Sequence, residues 1–204
     1  MRFAGTRGQH GRQRQPRLLL TECQAELGGA VHPALRQPGK VDLRVRRPPS
    51  NAELAIHHNH ARVVDAYQIY EARSFGADAA LLIAAVLPKA ALADLQALTQ
   101  ELGMAALMEV HTDEELEAVL ATRPALVGIN NRNLKTLQTT LEVSRRLRPR
   151  IPEGVTVVAE SGIEERAQVE ELERLGVHAV LVGTALMRAA DPAVRVRELL
   201  GAAG

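Results

Sequence analysis

Five short apolar runs, each followed by a polar loop and most by an amphipathic helix, recur from about Val63 to the end of the chain. They occupy residues 79–84, 105–110, 125–130, 155–160 and 179–183. Each run has the length of a strand and is apolar on both faces, as expected when a parallel sheet is covered on both sides. Strands that alternate with helices predict a right-handed parallel α/β fold, either a doubly wound sheet or a barrel.

Helix boundaries support this reading of the chain. Thr112 and Glu115 have the spacing of a capping box at the start of a helix. Asp191 before Pro192 is typical of an N-cap followed by proline at the first helical position. Gly103 follows a stripe of leucines at helical spacing and predicts the end of that helix.

Polar residues end three of the apolar runs, and Gly183-Thr184 ends the last one. The three are Glu109, Asn130 and Glu160. In a barrel the C-terminal ends of the strands converge on one mouth, so these side chains favour a barrel with a site there. The alternative is that polar residues only mark where each strand stops.

Glycines follow the last two runs, in Ser161-Gly162 and in Gly183-Thr184. Loops after the final two strands of a barrel often bind phosphate, because glycine lets backbone amides approach its oxygens. The pair therefore predicts a phosphate site, although a glycine after a strand also serves simply to turn the chain.

Composition excludes several classes of function. The lone Cys23 and the lack of a long apolar run predict a cytoplasmic protein with no disulfide and no membrane span. Residues 1–50 hold ten Lys and Arg against three Asp and Glu, but almost no aromatic residue lies among them to stack on a base. We therefore expect no nucleic-acid partner. The histidines at 57–60 are interpreted as loop residues rather than metal ligands.

Six segments together resemble the indole-3-glycerol-phosphate synthases in order and spacing. They are residues 65–73 (DAYQIYEAR), 76–83 (GADAALLI), 108–112 (MEVHT), 128–134 (GINNRNL), 159–163 (AESGI) and 181–187 (LVGTALM). The resemblance implies a partial (βα)8 TIM barrel in which residues 63–204 form the fourth to eighth βα units.

The resemblance also implies a reaction. The family converts 1-(o-carboxyphenylamino)-1-deoxyribulose 5-phosphate to indole-3-glycerol phosphate, with loss of carbon dioxide and water, in tryptophan biosynthesis. It implies no cofactor and no metal. The roles that it implies are acid–base work for Glu109, orientation of the anthranilate group by Asn130, hydroxyl contacts for Glu160, substrate binding by Arg132 and Ser161, and a phosphate cradle from Gly162, Gly183 and Thr184. For Arg132 a surface salt bridge is an equal alternative.

The resemblance fails in residues 1–62. The family has an Arg-Lys-Asp-Phe motif at the end of its third strand, whereas residues 58–62 read HNHAR and lack the lysine that serves as the acid for ring closure. Residues 44–50 are interpreted as a remnant of the first strand, and the second and third strands are expected to be missing or degraded.

These departures lead to three expectations. The gene is expected to be truncated or damaged, with a shifted reading frame upstream of Val63 as one form of the damage. The open remnant is expected to expose its edges and the inner faces of its strands, and the chain alone is expected to be inactive or nearly so. An inactive chain that binds phosphate ligands or pairs with another subunit, and another phosphate-binding barrel enzyme such as phosphoribosylanthranilate isomerase, are the alternative functions.

Overall fold

The computed structural model describes residues 17–20, 56–57, 63–133 and 136–201. Several expectations therefore lie outside the described residues. They are the remnant of the first strand at 44–50, the segment 58–62 where the family has its lysine, and most of the histidine cluster and of the basic segment 1–62.

In the part of the chain that the structure describes, seven parallel strands form one sheet. They are β1 (Arg17–Leu20), β2 (Ile56–His57), β3 (Ala79–Ile83), β4 (Ala105–Val110), β5 (Leu126–Asn130), β6 (Thr156–Glu160) and β7 (Ala179–Val182). Their order across the sheet is β1-β7-β6-β5-β4-β3-β2, so strands that follow one another from β2 to β7 are direct neighbours. This order is that of consecutive barrel strands.

The five predicted strands are confirmed, and their ends differ from the prediction by at most one residue. The two outer strands were not predicted. The two-residue strand β2 pairs with β3, on the side where the third strand of a barrel belongs and where we expected a missing or degraded strand. The four-residue strand β1 pairs with β7, on the side of the first strand. Segments this short carry no readable hydrophobic period.

Among the described residues, seven helices connect or follow the strands. They are α1 (Ala66–Ser74), α2 (Lys89–Glu101), α3 (Asp113–Ala121), α4 (Glu142–Leu147), α5 (Arg166–Arg174), α6 (Thr184–Met187) and α7 (Pro192–Leu200), with a 3-10 turn at Arg148–Arg150. Within the described residues, none of these helices has the length and apolarity to cross a membrane.

The predicted helix boundaries are confirmed. Thr112 and Glu115 form the capping box of α3, in which the Thr112 hydroxyl accepts a hydrogen bond from the Glu115 amide. Asp191 caps α7, and its carboxylate accepts from the amides of Ala193 and Val194. Gly103 adopts the left-handed conformation, at φ 75°, just after α2.

The two faces of the sheet differ, and the difference favours a barrel over a doubly wound sheet. All the described helices that contribute to the main core pack on one face, where the side chains of Leu82, Met108 and Ile129 are fully buried. The other face carries a separate cluster made of strand residues alone. A doubly wound sheet would carry helices on both faces.

The face that carries this second cluster is the inner face of the sheet. It is not exposed, contrary to our expectation. Leu107 and Val158 are fully buried there, and Leu81, Leu126 and Leu181 pack around them. The inward side chains of neighbouring strands pack against one another in this cluster, as they do inside a barrel.

Candidate active site

Two glutamates and an asparagine form a buried polar cluster at the C-terminal end of the sheet. Glu109 is the penultimate residue of β4, and Asn130 and Glu160 are the last residues of β5 and β6. Their exposed fractions are 4%, 9% and 3%. Their side chains lie on the inner face of the sheet, since each lies two residues after a residue of that face and alternate residues of a strand face the same side. The Asn130 amide donates a hydrogen bond of 3.0 Å to Glu109 Oε1.

Gly128 gives the two glutamates room to meet. It lies on β5 between them, in register with Glu109 on one side and with Val158 on the other. A Cβ atom at this position would lie 2.0 Å from Glu160 Oε1 and 3.1 Å from Glu160 Cδ. The carboxyl group of Glu160 therefore occupies the space that any other residue would fill, which is a known use of glycine inside a strand.

The electrostatic environment affects the pKa of Glu160 in its contact with Glu109. Burial raises the pKa of Glu160 well above its usual range, and the charge of Glu109 and a side-chain hydrogen bond with Glu109 raise it further. Two carboxylates in contact cannot both ionise cheaply in a buried site, so a shared proton is the stable arrangement. Glu160 is the member that keeps this proton as the pH rises.

Arg132 connects the cluster to an open cavity. Its backbone amide donates a hydrogen bond of 2.9 Å to Asn130 Oδ1, and its side chain lines a cavity of about 390 Å³. No described carboxylate pairs with its guanidinium, so the alternative of a surface salt bridge finds no support among the described residues.

The cavity brings together the other predicted binding residues. Its walls include Ser161, Gly162, Gly183 and Thr184, the last two at the start of α6. Arg188, which the sequence analysis did not single out, also lines it. A loop of backbone amides with arginine side chains around it is suited to an anion.

The turn after β6 has an unusual backbone. Ser161 and Gly162 both lie in the left-handed region, at φ 63° and 72°. A Cβ atom on Gly162 would lie 2.9 Å from Thr139 Cβ, so the loops after β5 and β6 touch at this glycine. The non-glycine residue Ser161 is held in a strained conformation at the rim of the site, where such strain is commonly found.

Asn131 holds the loops at the rim of the site in place through buried hydrogen bonds, a role that was not predicted from the sequence. It is fully buried, and its Oδ1 accepts hydrogen bonds from the amide and the hydroxyl of Ser144. Its Nδ2 donates to the Ser161 carbonyl at 3.4 Å, and its backbone amide donates to the Glu160 carbonyl at 2.8 Å. It therefore ties α4 to the turn after β6.

The structure thus places all eight predicted residues at one end of the sheet. Glu109, Asn130 and Glu160 form the buried cluster, and the other five line the cavity next to it. The sequence analysis missed Gly128, although a glycine inside a predicted strand is itself a signal of close approach. Within the described part of the chain, no group of three or more His, Cys, Asp and Glu is arranged to hold a metal ion.

Comparison with known proteins identifies the family. A sequence model of the indole-3-glycerol phosphate synthase family matches residues 50–199. This chain belongs to that family. The indole-3-glycerol phosphate synthase of Dehalococcoides mccartyi (strain ATCC BAA-2266 / KCTC 15142 / 195) is 52% identical to it over 136 residues, which are 67% of this chain and 52% of the relative. That of Chromobacterium violaceum is 51% identical over 130 residues, 64% of this chain and 49% of the relative.

The chain therefore spans about half the length of the curated indole-3-glycerol phosphate synthases it matches. Solved structures extend the likeness to the fold. The 3-hexulose-6-phosphate synthase from Salmonella typhimurium matches with a TM-score of 0.60 at 15% identity, over 69% of each chain. A tryptophan synthase α-subunit from Pyrococcus furiosus matches with a TM-score of 0.52 at 22% identity, over 67% of this chain and 60% of that one.

Proposed function

We propose that this chain carries the C-terminal half of an indole-3-glycerol-phosphate synthase active site. The substrate would be 1-(o-carboxyphenylamino)-1-deoxyribulose 5-phosphate, which closes to indole-3-glycerol phosphate with loss of carbon dioxide and water, a step of tryptophan biosynthesis. The observation that carries the proposal is the position of Arg132, whose backbone amide donates to Asn130 of the buried cluster and which also lines the cavity.

The buried pair suits the proton transfers of this reaction. Removal of water needs a base for one proton and an acid for the leaving hydroxyl. Glu160, whose pKa is raised by burial and by Glu109, would be the proton donor. Glu109 would then act as the carboxylate partner, and Asn130, which already donates to it, would orient the anthranilate group.

The cavity suits the phosphate end of the substrate. Backbone amides at Gly162, Gly183 and Thr184 would approach the phosphate oxygens, and Arg132 would supply a positive charge. The Ser161 hydroxyl would make a further polar contact. This division puts the anion in the open cavity and the reacting carbons against the buried pair.

The acid for ring closure is the part that this chain lacks in its family position, since residues 58–62 read HNHAR without lysine. This observation favours a second candidate function, in which the chain binds the phosphorylated ligand but turns it over weakly or not at all. The two candidates share the site and differ only in chemistry.

Binding and turnover can be measured separately because the chain has no tryptophan. The indole fluorescence of indole-3-glycerol phosphate then reports its binding against almost no protein background. We expect Arg132→Gln to weaken binding by about 10- to 100-fold, the value of a hydrogen bond to a charged group. Arg197→Gln on α7, which also removes one exposed guanidinium, should leave it unchanged.

Turnover of the substrate is then followed by the growth of the same fluorescence. Turnover that Glu160→Gln abolishes would support the enzyme. Binding without turnover would support the second candidate. The proposed site is wrong if neither the substrate nor indole-3-glycerol phosphate binds. It is also wrong if Arg132→Gln and Arg197→Gln weaken binding equally.

A further inference from the structure

His111 is a buried histidine that none of the proposed roles uses. It follows β4 directly and lies one residue before the N-cap of α3, and its side chain is only 11% exposed. Both of its ring nitrogens are shielded from solvent, and neither has a hydrogen-bond partner of normal geometry among the described residues. Buried polar atoms of this kind are uncommon and call for a physical reason.

Each ring nitrogen faces a different carboxylate. Nε2 lies 3.5 Å from Glu109 Oε1, and Nδ1 lies 3.6 Å from Glu115 Oε2. A neutral imidazole carries a proton on one nitrogen only, so its other nitrogen would turn a lone pair toward a carboxylate. Only the protonated ring can donate toward both oxygens. The placement therefore fits an imidazolium bridge between the two glutamates.

The other charges around the ring leave this preference intact. The Arg146 guanidinium donates to the His111 carbonyl at 3.0 Å, and its second nitrogen lies 3.2 Å from Asp113. Asp113, in the first turn of α3, also pairs with Arg150, and Arg150 pairs with Glu117 as well. The two arginines are therefore balanced by two carboxylates. Among the described residues, Glu109 and Glu115 are the charged side chains that lie within ion-pair distance of the ring.

Glu115 provides a fixed anion on the far side of the ring. Burial by itself would raise its pKa, but the side chain of His111 and the backbone amides of His111 and Thr112 outweigh burial and hold the pKa below the usual range. The amide of His111 donates to Glu115 Oε2 at 2.6 Å. Glu115 thus stays ionised and faces the histidine in a set orientation.

We infer that protonated His111 is a positioning residue that ties Glu109 to Glu115 and keeps Glu109 the ionised member of its pair with Glu160. Of the paired glutamates Glu109 and Glu160, Glu109 is the one within ion-pair distance of the ring, so the positive charge stabilises an anion there and leaves the shared proton on Glu160. This inference rests on the function proposed above, because it assigns the base to Glu109 and the acid to Glu160 in that reaction.

The test is an NMR titration of the ring nitrogens in protein with ¹⁵N-labelled histidine. The chain has seven histidines, and the signal that His111→Gln removes identifies the one of interest. We expect Glu115→Gln to move its titration midpoint to lower pH by about one unit, because it removes an adjacent opposite charge. Glutamine preserves the capping box at this position, so α3 should stay folded.

Glu114→Gln is the matched control, since Glu114 lies on the same turn of α3 and is exposed to solvent. It should move the midpoint by less than about 0.2 units, a screened surface effect. Glu109→Gln should lower the midpoint as Glu115→Gln does. Equal midpoints in the wild type, Glu109→Gln and Glu115→Gln would overturn the inference.

A second readout concerns the reaction. His111→Gln should shift the pH profile of kcat and change KM by less than about twofold, because the ring acts on the proton balance rather than on substrate binding. An unshifted profile would overturn the positioning role. The titration needs no substrate, so an absence of turnover in the wild-type chain would count against the proposed function and leave the coupling of His111 to its two glutamates to be decided by NMR.

Discussion

Replacing Gly128 by alanine should disrupt the glutamate pair directly. The new methyl group would lie 2.0 Å from Glu160 Oε1, and real Cβ atoms essentially never come within 3.0 Å of another atom, so the oxygen must retreat by at least 1 Å. Glu160 is almost fully buried, and Leu107 Cδ1 lies 3.2 Å from the same methyl position. The carboxyl group therefore cannot yield without leaving Glu109 or pressing on the inner core.

Two effects of opposite sign set the size of the change in stability. Overpacking a close-packed site costs about 1–3 kcal/mol. Replacing glycine by alanine recovers about 0.4–1 kcal/mol, because the unfolded chain loses freedom. We expect overpacking to outweigh this gain, so that Gly128→Ala lowers the free energy of unfolding by about 1–2 kcal/mol. Urea unfolding followed by far-UV circular dichroism measures this change.

A double-mutant cycle with Glu160→Ala tests the cause. Removing the Glu160 side chain takes away the two atoms nearest to the methyl group and leaves Leu107 Cδ1 at 3.2 Å. Gly128→Ala should then cost less than about 0.5 kcal/mol. Gly76→Ala serves as the control, because Gly76 has φ 84° and a Cβ atom added there would meet no atom within 4 Å. Its cost should be equal in both backgrounds. An equal cost of Gly128→Ala in both backgrounds would refute the explanation.

Two further predictions concern stability. The unfolded chain releases the Glu160 proton near the ordinary value of 4.5, whereas the folded chain retains it to higher pH, so folding takes up a proton and stability should fall as the pH rises from 4.5 through the raised folded pKa. Glu160→Gln should remove this decline in a series of urea unfolding curves between pH 4.5 and 8, and parallel curves for the two proteins would contradict it. Thr112→Ala should lower the free energy of unfolding by about 1 kcal/mol through loss of the N-cap of α3. Thr122→Ala at the other end of that helix is the control and should cost less, and an equal loss would show that the cap is not the cause.

Much of the fold follows from the sequence because its signals are local. Each strand from β3 to β7 is an apolar run bounded by turn residues, and each predicted helix end has its own capping residue, so boundaries are fixed within one or two residues of the signal. The outer strands β1 and β2 lack any such signal. They are recognised only by what they pair with, β7 and β3, and this is a long-range property of the chain.

Membership of one rim was also predictable, because parallel strands end at the same edge of the sheet. What could not be predicted is how two glutamates that end their strands in the same way come to differ. Gly128 lets them meet, burial makes ionisation of the pair costly, and of the two only Glu109 lies within ion-pair distance of His111. Each of these depends on register and on packing across strands, so the assignment of acid and base follows from the neighbours of the two carboxyls rather than from the carboxyls themselves.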